Sequence, residues 1–548
     1  MTIRLVSPHK TLAGVVLSIV GLTGIAHAQN APQPFKDWKT TSLSGALRAE
    51  PRLQCDAVVR MTTYEFSILS ARTISAAASV PQFCRVLGQI LPQVRFELSL
   101  PAQWNGRLYM FGNGGYAGEA LDAPARIGIR NAALQRGFAV VQTNTGHDAS
   151  VEPLGTFAAD SQKLLDYAYR AVHVTAMTAK RIIAVYYEQQ ARRSYFDGCS
   201  TGGRQGLMSA QRFPDDFDGI LVGAPVLDIT GTMVSYAWNQ KQLNANPITV
   251  EQLKIVTDAA YGKCDASDGL SDGVIDDPRS CGFRARTDLP LCSPGAGGSP
   301  CLTSAQIDAV EAIYDGPKSG GTAIGRTWPI GSEISAPFAT GSRSGWVPWF
   351  LAAQSNARSI QSLFGETFMQ YMAFGKPDPA YDWKSFDFDK DPQRMDSVRA
   401  ILDATNPDLT AFRSRGGKIL MYFGWADPAL NPLMGIQYYE QVNQRMGSSA
   451  SDFFRLYMVP GMFHCGGGVG TSVFDAFTPL VEWVEKVTVP SAIRAERHVD
   501  GKADRSRPLC PHPQAARYKG AGSTDDAANF ACLSPDSLSL TRPPLRSN

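Results

Sequence analysis

The stretch Asp197-Gly198-Cys199-Ser200-Thr201-Gly202-Gly203 contains Gly198-x-Ser200-x-Gly202, the glycine spacing of a nucleophile elbow. Before it, Arg193-Ser194-Tyr195-Phe196 is short and aromatic enough to be a strand, and residues 204–212 suit the opening turns of a helix. A serine on so sharp a turn needs small neighbours and projects its hydroxyl above the free N–H groups of the helix. The stretch therefore predicts a nucleophilic Ser200, with a plain glycine-rich turn as the alternative.

Length and composition indicate a well-packed globular protein of more than one unit. The chain has 548 residues, of which 44% are hydrophobic and 19% are charged. Its length predicts a core domain with a large insertion or a second domain. The formal net charge is only +2, without a basic stripe, so we expect no nucleic-acid partner.

The N-terminus has the pattern of a secretory signal. Arg4 and Lys10 precede an apolar run over residues 12–25, which ends in Ala26-His27-Ala28. This run is too short to span a bilayer comfortably, so an uncleaved anchor is the weaker alternative. We predict a signal peptide over residues 1–28, no stable membrane anchor, and a secreted or periplasmic protein.

The cysteine pattern favours disulfides over a zinc site. The mature chain keeps an even number of cysteines and has no Cys-x-x-Cys. Neighbours in sequence suggest the pairs Cys55–Cys84, Cys264–Cys281, Cys292–Cys301 and Cys510–Cys532. Cys199 and Cys465 then remain as a fifth pair.

Short apolar strands alternate with helical patterns, which predicts a parallel α/β sheet. Residues 228–405 interrupt this rhythm with many Gly, Pro and Ser residues and no clear strand series. We therefore predict an α/β-hydrolase fold whose core, residues 29–227 and 406–548, carries an inserted lid over residues 228–405. The segment after residue 488 reads as an irregular tail held by its cysteines.

Two residues downstream of the lid suit the partners of an elbow serine. Asp427 and His464 each follow a predicted core strand, over residues 418–423 and 453–459, in the order Ser, Asp, His of α/β hydrolases. We expect Ser200 to attack a carbonyl, His464 to shuttle the proton and Asp427 to fix the imidazole tautomer. For Asp427, a turn residue before proline is the alternative.

The loop Gly112-Asn113-Gly114-Gly115 follows another predicted strand and lets backbone N–H groups approach a ligand. We predict an oxyanion hole from the N–H of Thr201 and one N–H of this loop, from Asn113 or Gly114. A mere tight turn is the alternative. His147 is a further site candidate, although a loop histidine with an ordinary hydrogen bond is the simpler interpretation.

Several motifs together resemble the tannase and feruloyl esterase family. They are residues 104–107 (WNGR), 198–204 (GCSTGGR), 211–214 (QRFP), 264–269 (CDASDG), 460–465 (PGMFHC) and 507–511 (RPLCP). The resemblance covers nearly all of the mature chain. It implies an α/β-hydrolase core with a lid, a Cys199–Cys465 clamp beside the triad, and hydrolysis of small aromatic acid esters.

The resemblance also implies a structural calcium site in the lid. Its ligands would be Asp265, Asp268 and Asp272 with the carbonyls of Leu270 and Val274. Three carboxylates within eight residues supply the hard oxygen ligands that Ca²⁺ prefers, although Asp-Gly repeats also occur in plain turns. We expect no organic cofactor.

Substrate choice is less determined. Residues 345–350 (GWVPWF) resemble an aromatic segment that lines the family's acyl pocket, so Trp349 is a candidate stacking residue; ordinary lid core is the alternative. One branch of the family cleaves terephthalate monoesters and grips the substrate carboxylate with an arginine. Arg358 does not align cleanly with that position, which favours a ferulate or gallate type of acyl group. A serine peptidase, an acyltransferase and a non-catalytic binding protein are the competing classes.

Overall fold

The computed structural model describes residues 31–38, 49–293, 301–337, 343–354 and 356–534. The predicted signal peptide lies outside these residues. Within them, nine strands form one central sheet in the order β1-β2-β3-β5-β4-β6-β7-β12-β13. Their bounds are β1 Phe66–Ile74, β2 Phe83–Ile90, β3 Val94–Pro101, β4 Arg107–Phe111, β5 Ala139–Thr143, β6 Arg193–Cys199, β7 Gly219–Gly223, β12 Lys418–Gly424 and β13 Phe454–Val459.

The sheet is mixed, whereas the sequence pattern predicted a parallel one. The strands from β5 across to β13 are parallel, as expected. However, β1, β2 and β3 are antiparallel to their neighbours. For the pairs β1–β2 and β2–β3 the reason is their short connections, since a parallel pair needs a crossover of a dozen residues or more.

Helices cover both faces of the sheet. One hydrophobic cluster contains residues of α1 and α15, and a second contains residues of α3, α4 and α14. The helix bounds are α1 Pro124–Leu134, α2 Ser161–Leu165, α3 Ala171–Tyr186, α4 Thr201–Arg212, α5 Ile229–Ala245, α6 Val250–Cys264, α7 Ala285–Asp288, α8 Ser304–Asp315, α9 Trp346–Trp349, α10 Ile360–Tyr371, α11 Asp391–Arg394, α12 Asp396–Leu402, α13 Thr410–Ser414, α14 Leu433–Met446 and α15 Phe477–Lys486. Among the described helices, none is both long and apolar enough to cross a bilayer.

The segment between β7 and β12 is mainly helical. It contains α5 to α13 and four two-residue strands, β8 Lys318–Ser319, β9 Thr322–Ala323, β10 Ala336–Pro337 and β11 Arg343–Ser344. Met233 and Phe368 from this segment belong to the same buried cluster as Met421 and Phe423 of β12. The inserted segment therefore packs onto the sheet through a shared core; its proposed domain boundaries stay a prediction.

The sequence pattern suggested an irregular C-terminal segment, but the structure shows regular strands there. It forms a three-stranded antiparallel sheet, β14-β15-β16, and a hairpin of β17 and β18. Ile493 and Ala495 are buried while Arg494 between them is exposed, an alternation that Pro and Arg residues obscured in the sequence. The bounds are β14 Val473–Phe474, β15 Ile493–Val499, β16 Lys502–Leu509, β17 Ala515–Tyr518 and β18 Phe530–Leu533.

All ten cysteines lie in the described residues and form disulfides. The pairs are those expected from the sequence: Cys55–Cys84, Cys199–Cys465, Cys264–Cys281, Cys292–Cys301 and Cys510–Cys532. Cys199 ends β6 and Cys465 lies in the loop after β13, so this bond joins two cysteines that are 266 residues apart in sequence.

Candidate active site

Ser200 occupies the turn between β6 and α4 in an unusual backbone conformation. Its φ of 63° and ψ of −121° lie in a region that residues with a side chain rarely adopt. Its N–H donates to the carbonyl of Gly223, at 2.9 Å. A Cβ on Gly198 would lie 2.6 Å from the carbonyl carbon of Gly202. The glycines around Ser200 therefore allow the tight backbone contact that holds this turn.

Asp427 and His464 form a hydrogen-bonded pair at the ends of β12 and β13. Asp427 is fully buried, and one of its oxygens accepts the Nδ1–H of His464 at 2.9 Å. Its other oxygen accepts the backbone N–H groups of Ala429 and Leu430, both at 2.8 Å. With Nδ1 protonated and bound to Asp427, Nε2 is the acceptor nitrogen of a neutral ring. The pair thus fixes the tautomer that a general base requires.

Ser200 and His464 line the same cavity, together with the Cys199–Cys465 disulfide. The cavity has a volume of about 440 Å³, a size suited to a small molecule. Trp349, which the sequence suggested, is part of its wall and meets the His464 ring edge-on, with 5.7 Å between ring centroids. The remaining wall is largely apolar and includes Tyr116, Met233, Tyr236, Phe364 and Leu430.

The two predicted sources of oxyanion donors lie beside this cavity. Thr201 begins α4, where a backbone N–H has no partner within the helix, and its hydroxyl donates to the carbonyl of Gly115. The N–H of Asn113, in contrast, donates to the buried side chain of Gln205 at 3.0 Å. Because a backbone N–H carries one hydrogen, Asn113 does not offer it to the cavity. The N–H of Gly114, the other predicted loop donor, lies at the cavity wall and donates to the partly exposed carboxylate of Glu119.

A charge pair that the sequence did not indicate lies beside Gly114. The carboxylate of Glu119 accepts the N–H of Gly114 at 3.2 Å and forms an ion pair of 2.7 Å with Arg126. Both side chains line the cavity. Burial lowers the pKa of Arg126, and the nearby carboxylate of Glu119 opposes that shift. No sequence motif surrounds these residues, since only the approach of the loop to α1 joins them.

Comparison with known proteins identifies this architecture. Residues 78–533, well over half of the chain, match the family model described as tannase and feruloyl esterase. The chain belongs to the tannase and feruloyl esterase family. It is accordingly a carboxylic ester hydrolase, as the motifs predicted.

Relatives in this family match most of the chain. The chain is 36% identical to the mono(2-hydroxyethyl) terephthalate hydrolase of Piscinibacter sakaiensis, over 85% of this chain and 87% of that protein. It is 32% identical to a probable feruloyl esterase of Arthroderma benhamiae, over 79% and 81% of the two chains. The crystal structure of feruloyl esterase B from Aspergillus oryzae superposes with a TM-score of 0.75 at 25% identity, over 88% of this chain and all of that one.

Other site candidates from the sequence lie away from the cavity. Arg358 is nearly half exposed and pairs with Glu366 at 2.5 Å, so it does not line the wall beside Ser200. His147 is buried, stacks on Phe157 and contacts the carbonyl of Tyr116 through Nε2 at 3.0 Å. Burial lowers its pKa to about 4. His147 therefore matches the simpler interpretation, a histidine with an ordinary hydrogen bond.

The acidic loop of the inserted segment is held by protein donors. One oxygen of Asp265 accepts the backbone N–H groups of residues 272, 273 and 274, at 2.9–3.2 Å. Asp272 pairs with Arg507 at 2.6 Å and with Arg505 at 3.3 Å. Among the described residues, no three acidic, histidine or cysteine side chains converge on a metal-sized position. The calcium site, with Asp268 and the carbonyls of Leu270 and Val274 among its expected ligands, stays a prediction.

Proposed function

We propose that this protein hydrolyses esters of aromatic acids of the hydroxycinnamic or gallic type, through an acyl-enzyme on Ser200. The observation that carries the proposal is the buried Asp427–His464 hydrogen bond at a cavity that Ser200 also lines. The relatives' names support the substrate class, since one is a mono(2-hydroxyethyl) terephthalate hydrolase and another a probable feruloyl esterase. The largely apolar wall with Trp349 suits a flat aromatic ring.

In the proposed mechanism, the hydroxyl of Ser200 attacks the ester carbonyl while Nε2 of His464 accepts its proton. The N–H groups of Thr201 and Gly114 stabilise the negative charge on the carbonyl oxygen. His464 then returns the proton to the leaving alcohol. Water repeats the sequence on the acyl-enzyme and releases the aromatic acid. Gly114 takes part only if substrate binding draws its N–H away from Glu119.

A second candidate is hydrolysis of terephthalate monoesters. It is favoured by the 36% identity to the mono(2-hydroxyethyl) terephthalate hydrolase over most of both chains. Arg358, the cation suggested for gripping a substrate carboxylate, lies outside the cavity wall and pairs with Glu366. This contact makes an uncharged aromatic acyl group the first candidate.

A hydrolysis panel on the purified mature protein tests the proposal. We expect higher kcat/KM on methyl ferulate or methyl gallate than on mono(2-hydroxyethyl) terephthalate. The reverse order would select the second candidate. Hydrolysis of p-nitrophenyl acetate alone, with no activity on any aromatic ester, would contradict the proposed substrate class.

We also propose export through the predicted signal peptide and a structural Ca²⁺ in the acidic loop. Five disulfides among the described residues are typical of an oxidising compartment, which supports export. N-terminal sequencing of the secreted form should begin at Gln29, and an intact Met1 would contradict cleavage. For calcium, the carboxylates of Asp265, Asp268 and Asp272 are the supporting chemistry; binding would require Asp272 to exchange its arginine contacts for the ion.

A further inference from the structure

The cavity wall beside the oxyanion loop carries one cation, Arg126, and one anion, Glu119. Arg126 lies near the start of α1, and Glu119 lies in the connection from β4 to α1. The Arg126 side chain is 6% exposed and that of Glu119 is 34% exposed. Both residues line the cavity, and Glu119 is the more exposed member of the pair.

Arg126 is fixed in place by contacts on several sides. Its Nε donates to the side chain of Gln142 at 2.6 Å, and Nη1 contacts the carbonyl of Gly112 at 3.3 Å. Its guanidinium also lies 4.8 Å from the centroid of the Phe111 ring. A cation held in this way cannot withdraw into solvent when its partner changes. The charge that Arg126 adds to the cavity therefore depends on whether Glu119 neutralises it.

Glu119 is likewise oriented by the loop it contacts. Its Oε2 accepts the side-chain N–H of Asn113 at 2.7 Å, and its Oε1 accepts the N–H of Gly114 at 3.2 Å. These donors and Arg126 leave part of the carboxylate facing the cavity. Such an oxygen can accept a hydrogen bond from a hydroxyl group, whereas it repels a second carboxylate.

We propose that Glu119 determines which substrate charge the cavity accepts, by neutralising Arg126 and by offering an acceptor to hydroxyl groups of the aromatic ring. An acyl group with a free carboxylate is disfavoured because Arg126 is already paired. This inference rests on the proposed function and deepens it. Without the charge of Glu119, Arg126 becomes available to pair with an anionic ring substituent.

The test compares two esters that differ in one ring substituent, methyl 4-hydroxybenzoate and monomethyl terephthalate. The measured quantity is the ratio of their kcat/KM values in the wild type and in Glu119→Gln. We expect the ratio to shift towards the anionic ester by about tenfold or more, because a like charge is removed and a cation is released. Glu119→Asp keeps the charge and should keep the wild-type preference.

Asp122→Asn is the matched control. It makes the same change in net charge at an exposed position outside the cavity, and it should leave the ratio unchanged. An equal fall of both kcat/KM values in Glu119→Gln would overturn the inference, since Glu119 would then only brace the oxyanion loop. Failure of the wild type on both aromatic esters, with p-nitrophenyl acetate still cleaved, would instead overturn the proposed function and the inference with it.

Discussion

Two motif-rich regions behave differently in this protein: the elbow with its Asp427–His464 pair, and the acidic loop of residues 265–274. In the first, the side chains named by the motifs meet at one cavity. In the second, Asp265 binds backbone N–H groups and Asp272 binds arginines from β16. The motif residues of the elbow region thus meet in this structure, whereas those of the acidic loop contact protein donors and their calcium site stays a prediction.

The difference between the two regions shows which structural features determine where a functional side chain lies. Ser200 and its partners follow the ends of β6, β12 and β13, so hydrogen-bonded strands and close glycine contacts determine where they lie. The acidic loop lies outside these strands, and its Asp265 and Asp272 contact backbone N–H groups and arginines. Positions built on parallel strands are set by the chain itself.

The largest expected effect is in the elbow region. Ser200→Ala removes the nucleophile, so kcat on any ester substrate should fall by about 10⁴-fold or more. The melting temperature should stay close to that of the wild type. Ser150→Ala, in an exposed loop outside the cavity, is the control and should keep full activity. Substantial activity in Ser200→Ala would show that the elbow serine is not the nucleophile.

Removing one disulfide from each region allows their contributions to the free energy of unfolding to be compared. Replacing both Cys199 and Cys465 by Ser removes a link across 266 residues, and the loop-entropy relation gives a loss of about 5.5 kcal/mol. Replacing Cys264 and Cys281, 17 residues apart beside the acidic loop, should cost about 3 kcal/mol. Denaturant unfolding measures both.

Activity separates the two disulfide variants further. Only the first bond flanks Ser200 and His464, so only its removal should lower kcat at a temperature where both variants are folded. Equal kcat values in the two variants would mean that the bond near Ser200 does not position the catalytic loops.

The third prediction concerns the pH dependence of stability that arises from His147, which contacts the carbonyl of Tyr116. Burial lowers the pKa of His147 from 6.5 to about 4, so the unfolded chain takes up this proton more readily than the folded protein. The contribution of neutral His147 to the free energy of unfolding is fully present above about pH 6.5. It is lost as the pH falls towards 4, which lowers the free energy of unfolding by about 3 kcal/mol. His147→Gln should flatten the measured stability profile in that window. An unchanged profile would exclude His147 as its source.

The smallest effect is expected at the acidic loop. If Ca²⁺ binds there, removing it with a chelator should lower the melting temperature by about 2–5 °C, because only the folded protein binds the ion. Asp272→Asn should abolish this shift, whereas Asp258→Asn, an exposed acid on α6, should retain it. No shift in the wild type, with no calcium found by elemental analysis, would remove the site.

Much of the fold and of the candidate site was predictable from sequence because its signals are local. The elbow glycines, the strands before Asp427 and His464, and the five cysteine pairs all followed from spacing. The alternation over residues 94–100 predicted β3, whereas β1, β2 and the strands of the C-terminal segment were not recognised, since their sequences lack a clean alternation. The bond from Asn113 to Gln205 was also hidden, because it joins residues 92 positions apart.

The sequence by itself determined the family, the α/β-hydrolase core and the residues proposed for catalysis, since each depends on short motifs placed at strand ends. Only the tertiary structure decided which groups surround them. The Glu119–Arg126 pair enters the cavity, Arg358 stays outside it, and Arg505 and Arg507 reach Asp272. These contacts depend on how distant loops and helices pack, and no local pattern encodes that packing.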